Sequence, residues 1–335
     1  MDRRILAVVA LCSVAAAGLA AQEGAPRTPW GSPDLQGVWD FRTLTPLQRP
    51  EELGDREFLT EEEAASIAQA AADRAERLLE RAAERTTGGG SVDQRADGTP
   101  GFYNNFWLDA GGSTVGTRRT SLVIDPPDGR LPALTPAAQQ RAAGAQAFEQ
   151  PPPASYLDLD AGDRCLLGLN AGPPITPGGY NQNLQVFQTP DHVVLMTEMV
   201  HTVRVVPLDG RPALSDDIRH WSGEARGHWD GDTLVVESTN FVGDRRWSIG
   251  NPMSAIGSSE QLRLVERLTR VSADTLEYEF TVHDPQVWSR PWTASIPMVL
   301  NDQPLYEYAC HEGNYSLPNM LAGARAQEAQ GAAAR

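Results

Sequence analysis

The chain has 335 residues, and its 44 acidic and 28 basic residues give a net charge of −16. Every basic residue is an arginine, so a Schiff-base lysine, a pyridoxal phosphate anchor and a P-loop lysine are excluded. The acidic surface argues against nucleic acid or an anionic membrane as a partner.

Residues 1–21 have the pattern of a secretory signal peptide. Arg3 and Arg4 precede an apolar run over residues 5–17, and small residues follow it. This run is shorter than a transmembrane helix requires. We therefore predict that residues 1–21 are removed on export, that the mature protein is secreted or periplasmic, and that it does not insert into a membrane.

The predicted cleavage determines which cysteines remain in the mature chain. Cys12 lies inside the predicted signal peptide, which leaves Cys165 and Cys310 in the mature chain. In an oxidising compartment, an even pair of cysteines most simply forms a disulfide. We predict that disulfide, and a reactive thiol is the alternative.

We predict that residues 22–118 form an N-terminal arm. It is rich in proline, glycine and charge, with one strand near 36–42 and a helix at about 60–85. Thr60 and Glu63 have the spacing of a capping box at the helix start. The apolar stripe of this helix is narrow, so we expect the helix to lie on the surface.

We predict that residues 119–325 form an antiparallel β domain that also includes the strand near 36–42. From residue 183 onward, apolar segments with strand periodicity follow one another, separated by turn residues. We predict one long strand over 193–208 and a last strand over 305–311. The Asp230-Gly231 pair predicts a two-residue hairpin.

The fold class follows from the order of these segments. Because no helices alternate with the strands, we predict a mainly β fold: an antiparallel up-and-down barrel or a strongly curved sheet, with an irregular N-terminal arm and a few helices. One of these helices is predicted over 136–148. Residues 326–335 predict a disordered tail.

Two resemblances support this prediction. Gly37 and Trp39 form a Gly-x-Trp opening that resembles the first strand of lipocalins and other calycins, which implies a barrel with a ligand cavity. From end to end, the chain resembles an uncharacterised group of secreted bacterial proteins, in stretches that include TPWGSPDLQGVWDF (28–41), RCLLGLNAGPP (164–174) and YEYACHEGNY (306–315). This second resemblance assigns no catalytic residues.

Candidate catalytic residues are polar side chains in apolar rows. Strand periodicity places Glu266 in one row with Leu262, Leu264 and Leu268, where an unpaired carboxylate would be costly to bury. A structural pair with an arginine from a neighbouring strand is the simpler interpretation. His201 lies in a similar row. With Glu266 or Glu237, it would form the minimal apparatus for proton transfer.

His311 is a further candidate, because it would be held in place by the predicted disulfide. The candidate ligand-binding residues are amides, phenols, an indole and a carboxylate near strand ends: Tyr180, Asn181, Asn183, Glu198, Asn240 and Trp292. Such groups suit sugar hydroxyls or a carbonyl oxygen, but they also occur in ordinary turns and cores.

Two functions are therefore predicted. The first is a secreted small-molecule enzyme that uses metal-independent acid/base chemistry in a barrel cavity, as a lyase, isomerase or hydrolase. The second is a non-catalytic, lipocalin-like binder of a small organic or apolar ligand. We expect no cofactor and no resident metal, although His201, His311 and a glutamate could bind a metal ion together. Whether the protein forms a homo-oligomer is also left open.

Overall fold

Ten antiparallel strands form one sheet in the computed structural model, which describes residues 26–79, 117–145, 152–168, 170–243 and 256–333. The predicted signal peptide lies outside the described residues. The strands are β1 (Gly37–Asp40), β2 (Val123–Asp125), β3 (Asn183–Gln188), β4 (His192–Thr197), β5 (Val203–Pro207), β6 (Glu224–Asp230), β7 (Thr233–Thr239), β8 (Arg263–Arg270), β9 (Thr275–His283) and β10 (Trp292–Asn301).

The strand order shows how the sheet is assembled. It runs β5-β4-β3-β1-β10-β9-β8-β7-β6, and the short strand β2 also pairs with β10. Two groups of strands that are consecutive along the chain, β3 to β5 and β6 to β10, are thus joined through β1. The strand β1, from the region of the predicted N-terminal arm, is thus part of the main sheet.

The two edges of the sheet approach each other without pairing. No ladder joins β5 to β6 among the described strands, so the sheet is not closed and a barrel is not confirmed. The edges pack through side chains instead: a Cβ atom added to Gly227 of β6 would lie 2.7 Å from side-chain atoms of Val206 and Leu208. The fold is therefore a strongly curved antiparallel sheet.

One face of this sheet forms the core. Leu262, Leu264, Glu266 and Leu268 are all buried, as the strand period predicted. Large side chains fill the same interior, among them Trp39, Tyr278, Phe280 and Trp292. Each fully buried large apolar side chain contributes roughly 1.5–3 kcal/mol, so this face is the main source of stability.

The predicted strand over 193–208 is wrong, because a turn divides it. The chain forms a 3₁₀ turn over Met199–His201, and β4 and β5 pair as a hairpin on either side of it. Val200 has a φ of 58° in this turn, a conformation that is rare for a β-branched residue. No glycine, proline or asparagine marks the position. An uninterrupted strand would place Val203 and Val205 on the same face as the buried Leu195, but after the turn Val203 and Val205 are exposed and Arg204 is buried instead.

The β6–β7 hairpin is confirmed, with its turn shifted by one residue. Asp230 pairs with Thr233, so the two turn residues are Gly231 and Asp232, not Asp230 and Gly231. Gly231 has a φ of 60°. This places glycine at the first central position of the turn, where a left-handed backbone is required.

Within the described residues, three α-helices lie outside the sheet: α1 (Glu61–Leu79), α2 (Pro136–Ala145) and α3 (Ser316–Ala333). The capping box at α1 is confirmed, because Thr60 N donates to Glu63 Oε2 at 2.8 Å and Glu63 N donates to Thr60 Oγ1 at 3.2 Å. None of the helices in the described ranges has the length and apolar character needed to cross a membrane.

The C-terminal region differs from its prediction in two ways. Residues 305–311 form no strand, and α3 includes residues 326–333 of the predicted disordered tail, whose last two residues lie outside the described residues. The alanine-rich sequence of α3 favours a helix. Arg325 also anchors α3, by donating to the backbone oxygens of Pro153 and Ala154 at 2.6 and 2.9 Å.

Candidate functional site

A buried ionic network occupies the interior of the curved sheet. Glu266 of β8 accepts hydrogen bonds from Arg204 of β5, with Nη1 donating to Oε2 at 2.5 Å and Nη2 donating to Oε1 at 2.8 Å. The Tyr278 hydroxyl of β9 donates to Oε1 at 2.7 Å, and it accepts from Ile175 N at 3.1 Å. The expected arginine is present, but it comes from across the interior and not from a neighbouring strand.

The protonation states of Arg204 and Tyr278 depend on the neighbouring charge of Glu266. Burial alone would lower the pKa of Arg204, but the adjacent carboxylate of Glu266 outweighs it and raises that pKa. Burial, and then the negative charge of Glu266, hold the pKa of Tyr278 well above its usual range. Tyr278 therefore stays protonated and donates, while Glu266 acts as the acceptor for both partners.

The other predicted catalytic residues lie elsewhere. Glu237 faces the opposite side of the sheet from Glu266 and pairs with Arg263 at 2.6 Å. His311 is exposed in the turn that follows Cys310. The backbone of His201 ends the Met199–His201 turn, and its side chain lies outside the described residues. Glu266, Glu237 and His311 are therefore not brought together.

Cys165 and Cys310 form the predicted disulfide, with their Cα atoms 5.8 Å apart. Asn314 supports the same junction, because its Nδ2 donates to the backbone oxygen of Asp163 at 3.2 Å. The disulfide ties the segment after β10 to the loop that precedes β3. Tyr308, two residues before Cys310, is thereby held next to Tyr180.

Tyr180 and Tyr308 belong to a group of polar residues that we call the Tyr180 cluster: Asn170, Tyr180, Asn183, Glu198, Asn301 and Tyr308. The two phenol rings stack, with centroids 6.4 Å apart. Asn183 Nδ2 donates to Glu198 Oε2 at 2.7 Å, and Asn301 Nδ2 donates to Asn183 Oδ1 at 3.0 Å. The Met199–His201 turn, which begins directly after Glu198, packs against both tyrosines.

The Tyr180 cluster combines buried and accessible polar atoms. Glu198 is 7% exposed and Asn170 is 1% exposed, whereas Tyr180, Asn183 and Tyr308 are partly exposed. Asn170 Nδ2 donates to the backbone oxygens of Tyr180 and Asn181, but its Oδ1 has no hydrogen-bond partner within the described part of the chain. An unsatisfied buried acceptor of this kind is rare and calls for an explanation.

The Tyr308 phenol of the cluster is a hydrogen-bonding group at neutral pH. Burial, followed by the neighbouring Tyr180, raises the pKa of Tyr308 to about 12. Asn181 contributes through its backbone, which has a φ of 52° and accepts from Asn170 at 3.3 Å. Four of the predicted ligand-binding residues, Tyr180, Asn181, Asn183 and Glu198, are thus brought together.

Asn240 and Trp292 lie apart from that cluster and have structural contacts. Asn240 Nδ2 donates to the backbone oxygens of Ser215 and Ile218 at 3.1 and 3.2 Å, which holds the loop before β6. Trp292 is fully buried, and its ring packs edge-on against Phe280 and Trp288.

Sequence reasoning did not select several residues of these two groups. Arg204 lies in the apolar segment 193–208, and an uninterrupted strand there would place it on the face opposite to the buried Leu195. Tyr278 follows the same period as Phe280, which marks it as buried. Tyr308 could have been found from its position beside Cys310. Asn170 and Asn301 carried no distinguishing signal.

The described residues contain no group of three His, Cys, Asp or Glu side chains that could hold a metal ion. Comparisons with protein-family models, with curated proteins and with solved structures found no match for this chain. The resemblances to a group of secreted bacterial proteins and to calycins therefore stay expectations.

Proposed function

We propose that this chain is a secreted binding protein whose small polar ligand is held at the Tyr180 cluster. The observation that carries the proposal is the grouping of Tyr180, Asn181, Asn183 and Glu198, while Glu266, Glu237 and His311 lie apart. Binding needs only complementary polar groups and an accessible surface. Proton transfer needs a base with a free lone pair and a partner that orients it.

A hydroxyl-rich ligand such as a saccharide fits the chemistry of this cluster best. The Glu198 carboxylate and the Asn170 oxygen are acceptors for sugar hydroxyls, and Asn183 and Asn301 hold the carboxylate side of the cluster in place. The stacked tyrosine rings offer an amphipathic surface, and the raised pKa of Tyr308 keeps its hydroxyl protonated. Such a site recognises a ring that has polar edges and an apolar face.

Binding can be tested with a panel of mono- and disaccharides, by saturation-transfer NMR and isothermal titration calorimetry. We expect saturable binding of at least one saccharide, weakened roughly 10- to 100-fold by Glu198→Gln, because a hydrogen bond to a charged group is worth about 1.5–3 kcal/mol. Tyr308→Phe should weaken it less. Asp125→Asn, a change in an exposed pair with Arg290, is the control. The proposal fails if no saccharide binds, or if Glu198→Gln and Tyr308→Phe both bind with unchanged affinity.

Acid/base catalysis is the second proposal, and one observation favours it. The turn that ends at His201 begins directly after Glu198, so the predicted base lies three residues from the carboxylate of the Tyr180 cluster. NMR spectra of the same saccharide panel, followed over hours, would report hydrolysis or isomerisation. Turnover that is lost in His201→Gln would establish the enzyme, whereas saturable binding without turnover excludes it for these compounds.

A further inference from the structure

Arg49 is a buried cation without a carboxylate partner in the described ranges. It is 4% exposed, and its Nε donates to Thr120 Oγ1 at 2.8 Å. Its Nη1 is buried and meets no acceptor among the described residues. Arg204 is equally buried, but there both terminal nitrogens donate to Glu266. A guanidinium removed from water requires such compensation, and Arg49 lacks it.

The loop over residues 126–130 packs directly on this guanidinium. Arg49 N donates to the backbone oxygen of Gly129 at 2.8 Å, and Gly129 N donates to Pro126 O at 3.0 Å. Gly129 has a φ of 71°, and a Cβ atom added there would lie 3.0 Å from Arg49 Nη2 and 2.4 Å from Ser121 Oγ. Only glycine permits this close approach of the loop to the arginine.

Arg130, the residue after Gly129, adds a second positive charge. Its Nε is also buried and has no hydrogen-bond partner in the part of the chain that is described. The partly buried Arg226, in contrast, pairs with Glu224. Arg130 as a whole is only partly buried, but neither its guanidinium nor that of Arg49 has an acidic partner within the described ranges, although the chain has a net charge of −16.

We propose that a small oxyanion, such as a phosphate, a sulfate or a carboxylate group, binds between Arg49 and the loop over residues 126–130. The anion accepts from Nη1 of Arg49 and from the guanidinium of Arg130, and it neutralises both. Guanidinium groups match the geometry of such anions. This site adjoins β2 and is independent of the Tyr180 cluster.

The test compares inorganic phosphate, sulfate and acetate with chloride at matched ionic strength, by calorimetric titration and by thermal unfolding of the full chain. We expect calorimetry to show saturable binding of one anion per chain, and we expect Tm to keep rising with the logarithm of the anion concentration above the Kd, because a ligand that binds only the folded state stabilises it. Arg130→Gln should weaken binding at least about tenfold, and Arg49→Gln should abolish it. Arg263→Gln, which changes an exposed arginine paired with Glu237, should leave it unchanged.

The comparison of anions identifies the preferred class of ligand, since phosphate and sulfate represent tetrahedral anions and acetate represents the carboxylate group of an organic acid. If Arg49→Gln does not fold, Arg130→Gln decides the outcome. The proposal is overturned if all three anions act like chloride, or if Arg130→Gln binds with the affinity of the unchanged protein.

Discussion

At the scale of single residues, the Arg204–Glu266 pair shows how context determines what a buried carboxylate does. The same glutamate in an apolar row fits a catalytic base, a ligand anchor or a structural ion pair. Its two oxygens accept from Arg204 and Tyr278, so it is held as part of a closed network. Such a network is costly to break from one side, because the remaining charge stays buried.

Glu266→Gln should therefore lower the free energy of unfolding by about 3–5 kcal/mol, because it leaves Arg204 buried without a counter-charge. The double variant Arg204→Met with Glu266→Leu should lose less than the single variant, since it removes both charges. Urea unfolding measures both. Glu260→Gln, in an exposed pair with Arg219, is the control and should change stability by less than about 1 kcal/mol. A double variant that is less stable than Glu266→Gln would contradict this account.

Tyr308 gives the Tyr180 cluster a defined alkaline response. Its pKa is about 12 in the folded protein, above the ordinary value of 10.0, so the phenol stabilises the fold fully below pH 10. Between pH 10 and about 12 the unfolded chain ionises first, and this contribution is lost as pH rises. The stability difference between the unchanged protein and Tyr308→Phe should thus shrink across that window. If the difference in unfolding free energy between the unchanged protein and Tyr308→Phe stays constant from pH 9 to 12, the raised pKa of Tyr308 is contradicted.

At the scale of elements, turn chemistry decided which strand predictions succeeded. The β6–β7 hairpin contains Gly231, which accepts the left-handed conformation that the turn requires. The β4–β5 hairpin reverses through Val200, which normally continues a strand. Packing of the Met199–His201 turn against Tyr180 and Tyr308 offsets the cost of that conformation. Local sequence rules contain no term for such a distant contact.

Gly231→Ala should lower the free energy of unfolding by about 1–2 kcal/mol, because a side chain disfavours the left-handed backbone. No atom lies within 4 Å of the added Cβ, so backbone strain is the sole local cause. Gly323→Ala in α3 is a matched control, since its Cβ also meets nothing within 4 Å, and there the change should stabilise by roughly 0.5–1 kcal/mol. Thermal and urea unfolding would distinguish the two. Equal effects of the same sign in the two variants would refute the assignment of a left-handed backbone to Gly231.

At the scale of the whole molecule, two connections organise the fold. The strand β1 joins the group β3 to β5 and the group β6 to β10 into one sheet, and the Cys165–Cys310 disulfide joins the segment before β3 to the segment after β10. The disulfide closes a loop with a sequence separation of 145 residues. Loop closure of this length restricts the unfolded chain strongly. The same connection positions Tyr308 in the Tyr180 cluster.

Replacing both cysteines by serine should lower the free energy of unfolding by roughly 5 kcal/mol in the chain-entropy account. It should also release Tyr308 from Tyr180, which near-ultraviolet circular dichroism of the tyrosines would report. Reduction of the unchanged protein is the matched comparison and should reproduce both effects. A loss below about 1 kcal/mol would mean that the disulfide is not a major constraint on the unfolded chain.

The sequence by itself determined the antiparallel β class, the disulfide pair, the α1 cap and the buried position of Glu266, because each depends on local periodicity, composition or spacing. Only the tertiary structure decided that Arg204 reaches Glu266 across the interior, that the sheet edges meet without pairing, and that Asn170, Glu198 and Tyr308 share one cluster. These are contacts between residues far apart in the chain. Their geometry depends on how all the strands curve and pack together, which no short window of sequence contains.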